Sequence, residues 1–221
     1  MKALVIAIDG PSGAGKGTVA RAVARSLEYR HVDSGAMYRA VAWKALHAGV
    51  ALDDEAAVAR IAETAAIEVT ASAVTIDRED VTRQIRTPEI DRAAASVARL
   101  PAVRTILVAR QRAMGADGAI VMEGRDIGTV VFPHADVKIY LDATAEERAR
   151  RRASDPAHTG VPARVSEVAT LLTERDTSDQ TRAASPLYVA ADARVIDTTG
   201  KSIDEVVGAV MDMVRTYSSL P

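Results

Sequence analysis

At 221 residues the chain is long enough for one sizeable core, and 48% apolar against 26% charged residues is the balance of an ordinary soluble globular protein. A formal charge of -2 gives no global positive field to hold nucleic acid, and the lack of any cysteine excludes a disulfide framework, a thiol nucleophile and a thiolate metal site. The first apolar run, Ala3 to Ile8, is too short for a signal-peptide core and no stretch approaches the roughly 20 apolar residues of a membrane span, so a cytoplasmic protein is expected, without membrane or nucleic-acid partners.

Ala3 to Ile8 reads as a buried strand, and it runs straight into Gly10-Pro11-Ser12-Gly13-Ala14-Gly15-Lys16-Gly17-Thr18 at the opening of a helix. In that context the glycines let successive amides turn into one concavity. The helix N-terminus adds positive potential there, and Lys16 supplies a charge for the β- and γ-phosphates of ATP. The plainer reading is a strand-to-helix turn that contains glycine. Gly17 stands where many such loops carry a metal-binding hydroxyl, with Thr18 one place later, so Mg²⁺ is expected to be held mainly by phosphates and water, with no protein metal ligand.

A second strand, His31 to Asp33, leads into Asp33-Ser34-Gly35-Ala36-Met37-Tyr38-Arg39, at the strand edge where ligands bind in open α/β sheets. Alone, this could be a helix start with Ser34 as cap and a solvated Arg39. Ile67 to Thr70 and Val74 to Asp77 alternate like a small antiparallel sheet, read as an insertion. Ile85-Arg86-Thr87, Pro101-Ala102-Val103-Arg104 and Glu123-Gly124-Arg125-Asp126-Ile127-Gly128-Thr129-Val130-Val131-Phe132-Pro133 follow, the last just after the apolar run Ala119 to Met122. Val137 to Leu141 and Arg194 to Ile196 complete about five parallel strands. The predicted fold is α/β, with helices on both faces of the sheet, a small antiparallel insertion and a lid.

Within Glu146 to Arg152 the spacing puts Arg148, Arg151 and Arg152 on one helical face, the blander alternative being a solvated face paired to its glutamates. Ser154 to Pro162, with two prolines and a glycine, reads as a loop tip that could serve as a movable flap. Beyond it, Arg175, Asp179 and Arg182 stand at i, i+4 and i+7, again one helical face, before Ser185-Pro186-Leu187. Trp43 and Tyr38 suit packing, the methionines suit core filling, and the four histidines show no ligand spacing. The last four residues are expected to fray.

The Gly-Lys-Gly-Thr loop is shared with nucleoside monophosphate kinases. Asp-Ser-Gly-Ala-x-Tyr-Arg, the Glu123 to Pro133 run and Arg-Asp-x-x-Asp-x-x-Arg together resemble the bacterial cytidylate kinase family over most of the chain. The resemblance implies transfer of the γ-phosphoryl group of ATP to CMP, and to dCMP. It gives Arg39 and Arg125 to the acceptor phosphate, Arg104 and Asp126 to the cytosine ring, Arg175 and Arg182 to the transferring phosphates, and Asp179 to the acceptor sugar. Ser34 and Tyr38 are counted with the acceptor side, Arg151 with ATP, and Lys16, Arg125, Arg175 and Arg182 as catalytic. One family serine aligns with Ala95, while Ser96 is its neighbour, which leaves that contact open. The implied division is a single unit with its core at 1–60, 101–150 and 183–221, an acceptor-binding insertion at 61–100 and a lid at 151–182, as a monomer. Two alternatives stay open: a kinase for another small acceptor such as UMP, and a non-catalytic nucleotide switch.

Overall fold

In the computed structural model, which describes residues 3–155 and 164–218, the first apolar run becomes the middle strand of a sheet. β1 (Val5–Asp9) is flanked by β6 (Ile120–Gly124) and then β2 (Arg30–Asp33) on one side, and by β7 (Val137–Asp142) and then β8 (Arg194–Asp197) on the other, all parallel. Because side chains alternate along a strand, β1 serves both faces. Ile6 and Ile8 join Ile139 and Leu141 against α1 (Lys16–Leu27) and the final helix α8 (Ile203–Ser218), while Ala7 joins Ile120 and Met122 in the opposite core. Strands buried on both faces must be apolar throughout, which is why they stood out in the sequence.

The opposite core is built from α2 (Ser34–His47), α3 (Glu55–Thr64), α4 (Pro88–Val97) and α5 (Pro101–Met114). It also takes in the small antiparallel sheet β3 (Ile67–Val69), β4 (Val74–Ile76) and β5 (Glu79–Asp80), the last a two-residue strand beyond the two that alternation predicted. Ile67, Val69, Val74 and Ile76 are all buried in this core. At about 1.5–3 kcal/mol for each side chain fully buried, the insertion is held firmly to the sheet.

The lid helices α6 (Ala145–Ala153) and α7 (Val165–Thr181) differ in this respect. Ala149, Ala153, Val168 and Leu172 pack on one another as a separate small cluster. The flap tip expected from Ser154 to Pro162 lies, except for its first two residues, outside the described residues, as does the chain end beyond Ser218. Among the described residues no helix is long and apolar enough to cross a membrane.

Candidate active site

The strands end on one edge, and the site is assembled there. Gly10 follows β1 with φ +146°, and a Cβ on it would lie 2.0 Å from the Leu141 carbonyl oxygen, so the chain can turn off the sheet here only as glycine. The loop then curls to the left-handed Gly15, and α1 begins at Lys16, whose Nζ donates to the Pro11 carbonyl at 2.7 Å. Burial, reinforced by the Arg125 guanidinium, lowers the Lys16 pKa to about 7. The lid holds the loop from above: the Ser12 amide donates to Asp176 (3.3 Å), Arg148 donates to the Ser12 carbonyl (3.1 Å), and Arg148 pairs with Asp176.

The three arginines that helical spacing placed on one face therefore separate. Arg148 grips the loop backbone, Arg151 donates to Glu147 (2.8 Å) and to the Thr198 hydroxyl (2.9 Å) beside the loop, and Arg152 pairs with Asp91 on α4. Their long side chains reach partners on three different elements, so shared spacing does not make a shared target. The solvated, glutamate-paired reading fits Arg150.

On the acceptor side Asp33, not Ser34, caps α2, accepting from the Ala36 amide at 3.1 Å. Ser34 instead donates to the Glu123 carbonyl (2.7 Å), tying α2 to β6. Burial works to raise the Asp33 pKa, but Arg39 (2.9 Å) and Arg86 (3.6 Å) outweigh it and hold the carboxyl at about 2. Arg104, on α5, forms a buried pair with Asp126, and its guanidinium carbon lies 5.6 Å from the centre of the Tyr38 ring. Arg182 comes within 3.5 Å of the same Asp126 carboxylate. Burial raises the Asp126 pKa in spite of these two cations. Arg125 donates to Asp179 at 2.8 Å.

Arg182 corrects one expectation. α7 ends at Thr181 and Arg182 is extended, with φ -64° and ψ 138°, so it does not share a helical face with Arg175 and Asp179. It reaches the cluster after the helix has stopped, within 3.7 Å of Asp179, with its Nε held by the Ser185 carbonyl at 2.6 Å. At the open serine position Ala95 lines the cleft, whereas Ser96 is exposed and donates to the Arg92 carbonyl at 3.4 Å.

Arg39, Arg104, Arg125, Asp126, Arg151, Arg152, Arg175, Asp179 and Arg182 border, with the loop, one cleft of about 600 Å³. It runs from the loop at Lys16 past Arg39, Arg125 and Arg175 to Arg104 and Asp126.

Asp9, Glu123 and Asp91 were given no role from the sequence. Asp9, the last residue of β1, is buried and accepts from the Ile127 amide (2.8 Å) and the Gly128 amide (2.7 Å). It thereby caps the π-helical turn Ile127–Val131 that directly follows Arg125-Asp126. Burial lifts its pKa to about 6. Glu123 meets His31 Nε2 at 3.1 Å and borders the cleft. Both lie at the carboxyl ends of central strands, a position that could have flagged them. Asp91 carries no such signal.

A model of the cytidylate kinase family matches residues 6–216. The cytidylate kinase of Pelotomaculum thermopropionicum is 48% identical over 214 residues, covering 95% of each chain. That of Solibacter usitatus is 46% identical over 217 residues, covering 97% of this chain and 94% of its own. Among solved structures, a shikimate kinase from Acinetobacter baumannii in complex with shikimate matches with a TM-score of 0.51 at 16% identity, over 99% of this chain and 96% of that one. At that identity the likeness is one of fold, and the fold is the α/β kinase architecture expected.

Proposed function

The chain belongs to the cytidylate kinase family, and on that premise we propose that it transfers the γ-phosphoryl group of ATP to CMP, giving CDP and ADP, with dCMP as a second acceptor. The observation that carries this reading is a single cleft with the phosphate loop at one end and the buried Arg104 and Asp126 at the other. A nucleoside triphosphate laid on the loop and a nucleotide whose base meets Arg104 and Asp126 would bring their phosphates together among the arginines.

The roles follow from the chemistry. The acceptor phosphate is itself the nucleophile and, with a second pKa near 6, is largely dianionic at neutral pH, so no protein base is required. Arg39 and Arg125 hold it, and Lys16, Arg175 and Arg182 face the group in flight. Catalysis rests on positioning and on charge placed in advance. Cytosine presents an amino donor beside ring acceptors, so Asp126 faces the amino group and Arg104 faces N3 and O2. Asp179 faces the sugar. The amides of Gly10 to Thr18, with Arg151 at the rim, form the ATP side, and Ser34 and Tyr38 brace the acceptor side.

Mg²⁺ belongs to this chemistry. It would supply positive charge to offset that of the ATP phosphates. Among the described residues no group of three or more His, Asp or Glu side chains could hold an ion, and Gly17 offers no hydroxyl. Glu123 Oε1 lies 3.0 Å from where a Gly17 Cβ would stand. Glu123 would be the carboxylate nearest to waters on such an ion, whose other ligands would come from the phosphates.

We read the chain as one unit with its core at 1–60, 101–150 and 183–221, its insertion at 61–100 and its lid at 151–182, acting as a cytoplasmic monomer. A coupled ADP-release assay across the common nucleoside monophosphates tests the proposal. CMP and dCMP should give the highest kcat/KM, and a clear preference for UMP or a purine nucleotide would refute it.

A further inference from the structure

Two of the arginines assigned to phosphates, Arg39 and Arg175, converge with Arg152 on a carboxylate that the reaction does not call for. Asp91 projects from α4 and meets guanidinium groups from three elements: Arg175 of α7 at 3.0 Å, Arg39 of α2 at 3.7 Å, and Arg152 of α6 in a close pair. Burial, and then the like charges of Arg175 and Arg39, pull the Arg152 pKa down to about 10, while Asp91 works against them. The carboxylate thus compensates a crowd of cations that would otherwise repel one another.

A second observation concerns what else joins the lid to α4. Behind the ion pairs lies a cavity of about 270 Å³, bordered by Pro88 and Ala95 on α4 and by Val168 and Leu171 on α7. The cavity separates the two helices at this point, Val168 and Leu172 pack with Ala149 and Ala153 of α6, and Leu171 is left exposed. Asp91 with Arg152 and Arg175, together with Arg99 reaching the Ser178 carbonyl at 3.3 Å, make the connection polar. A polar connection over a cavity can be exchanged for another set of anions without loss of core packing.

We propose that Asp91 is a positioning residue that stands in for phosphate: it gathers Arg39, Arg152 and Arg175 while no nucleotide is present, and yields Arg39 to the acceptor phosphate and Arg175 to the group in transfer when the nucleotides enter. The inference rests on the reading of Arg39 and Arg175 as phosphate ligands. Its consequence is a competition, because each arginine must leave Asp91 before it can serve the nucleotide. Acceptor affinity is held below what the bare cations would give. The competition is with phosphate, so it is indifferent to the base.

The test compares wild type with Asp91→Asn and Asp91→Glu in steady-state kinetics with CMP, dCMP and UMP, with inorganic phosphate added as an inhibitor competing with the acceptor. Asp91→Asn should lower KM for every acceptor by a common factor of roughly 3 to 10 and strengthen inhibition by inorganic phosphate to match. Asp91→Glu, which keeps the charge, should stay near wild type. An unchanged or raised KM in Asp91→Asn, or equal shifts in Asn and Glu, would overturn the proposal, the latter by showing that packing rather than charge is responsible. Failure of the underlying reading looks different: CMP would not be the preferred acceptor of the wild type, whatever the behaviour of the variants. Both substitutions fall on a partly exposed helix position, and a thermal melt confirms that each variant is folded.

Discussion

Asp9 offers a prediction whose size follows from its surroundings. Its carboxyl is moved from 3.8 to about 6 by burial, a shift of roughly 2 units, or about 3 kcal/mol between protonation states at 1.36 kcal/mol per unit. Because the folded pKa is raised, the native state binds the proton more tightly than the unfolded chain. The penalty for a charged Asp9 is fully present above pH 6 and is relieved as pH falls through 6 toward 3.8. By linkage, about 2 kcal/mol of it should be recovered by pH 4.5. Asp9→Asn cannot titrate, so the stability difference between wild type and variant should move by about 2 kcal/mol in favour of wild type between pH 7.5 and 4.5.

The offset of that difference is set by hydrogen bonding. The two carboxylate oxygens satisfy the Ile127 and Gly128 amides, whereas an asparagine has one acceptor and leaves a buried N–H unpaired at about 1–3 kcal/mol. Near pH 7.5 this loss and the removed charge penalty should nearly cancel, leaving the two proteins of similar stability. Urea unfolding at both pH values measures the comparison. A difference that stays constant from pH 7.5 to 4.5 would refute the raised pKa of the buried carboxylate.

Lys16→Ala should lower turnover by at least two orders of magnitude in a protein that still folds, since one preorganised charge is worth roughly 3–4 kcal/mol to a transition state; near-normal turnover would remove Lys16 from the mechanism. With its pKa lowered to about 7, Lys16 should take up a proton as ATP phosphates restore its charge. ATP affinity should then weaken by up to about tenfold per pH unit above pH 7, a slope that calorimetry should find lost in Lys16→Met. Asp126→Asn should cost CMP roughly 1–3 kcal/mol in kcat/KM, and UMP less, because an amide can turn to donate to the uracil O4. An equal loss for both would show that Asp126 acts through structure rather than base reading.

Local features were legible in the sequence. A strand buried on both faces must be apolar throughout, so β1, β6 and β7 announced themselves. A backbone that turns off a strand against its neighbour must be glycine, so Gly10 and the loop to Thr18 were readable as a phosphate cradle. Arg104, Arg125 and Asp126 were found by their resemblance to a motif, and the cleft brings them together. Helical periodicity succeeded for Arg175 and Asp179 but failed at Arg182, because where a helix stops is settled by what its last turn packs against. It also failed for Arg148, Arg151 and Arg152, whose long side chains choose partners across space. Asp9 and Asp91 were invisible for a related reason. An isolated aspartate has no spacing to be recognised by, and it acquires meaning only when the fold sets it against the Ile127 and Gly128 amides or against three arginines. Apolar runs and glycine spacing sufficed for the sheet, the loop after β1 and the kind of charge in the site; which cation answers which carboxylate depends on distances between segments far apart in the chain, and these exist only once it has folded.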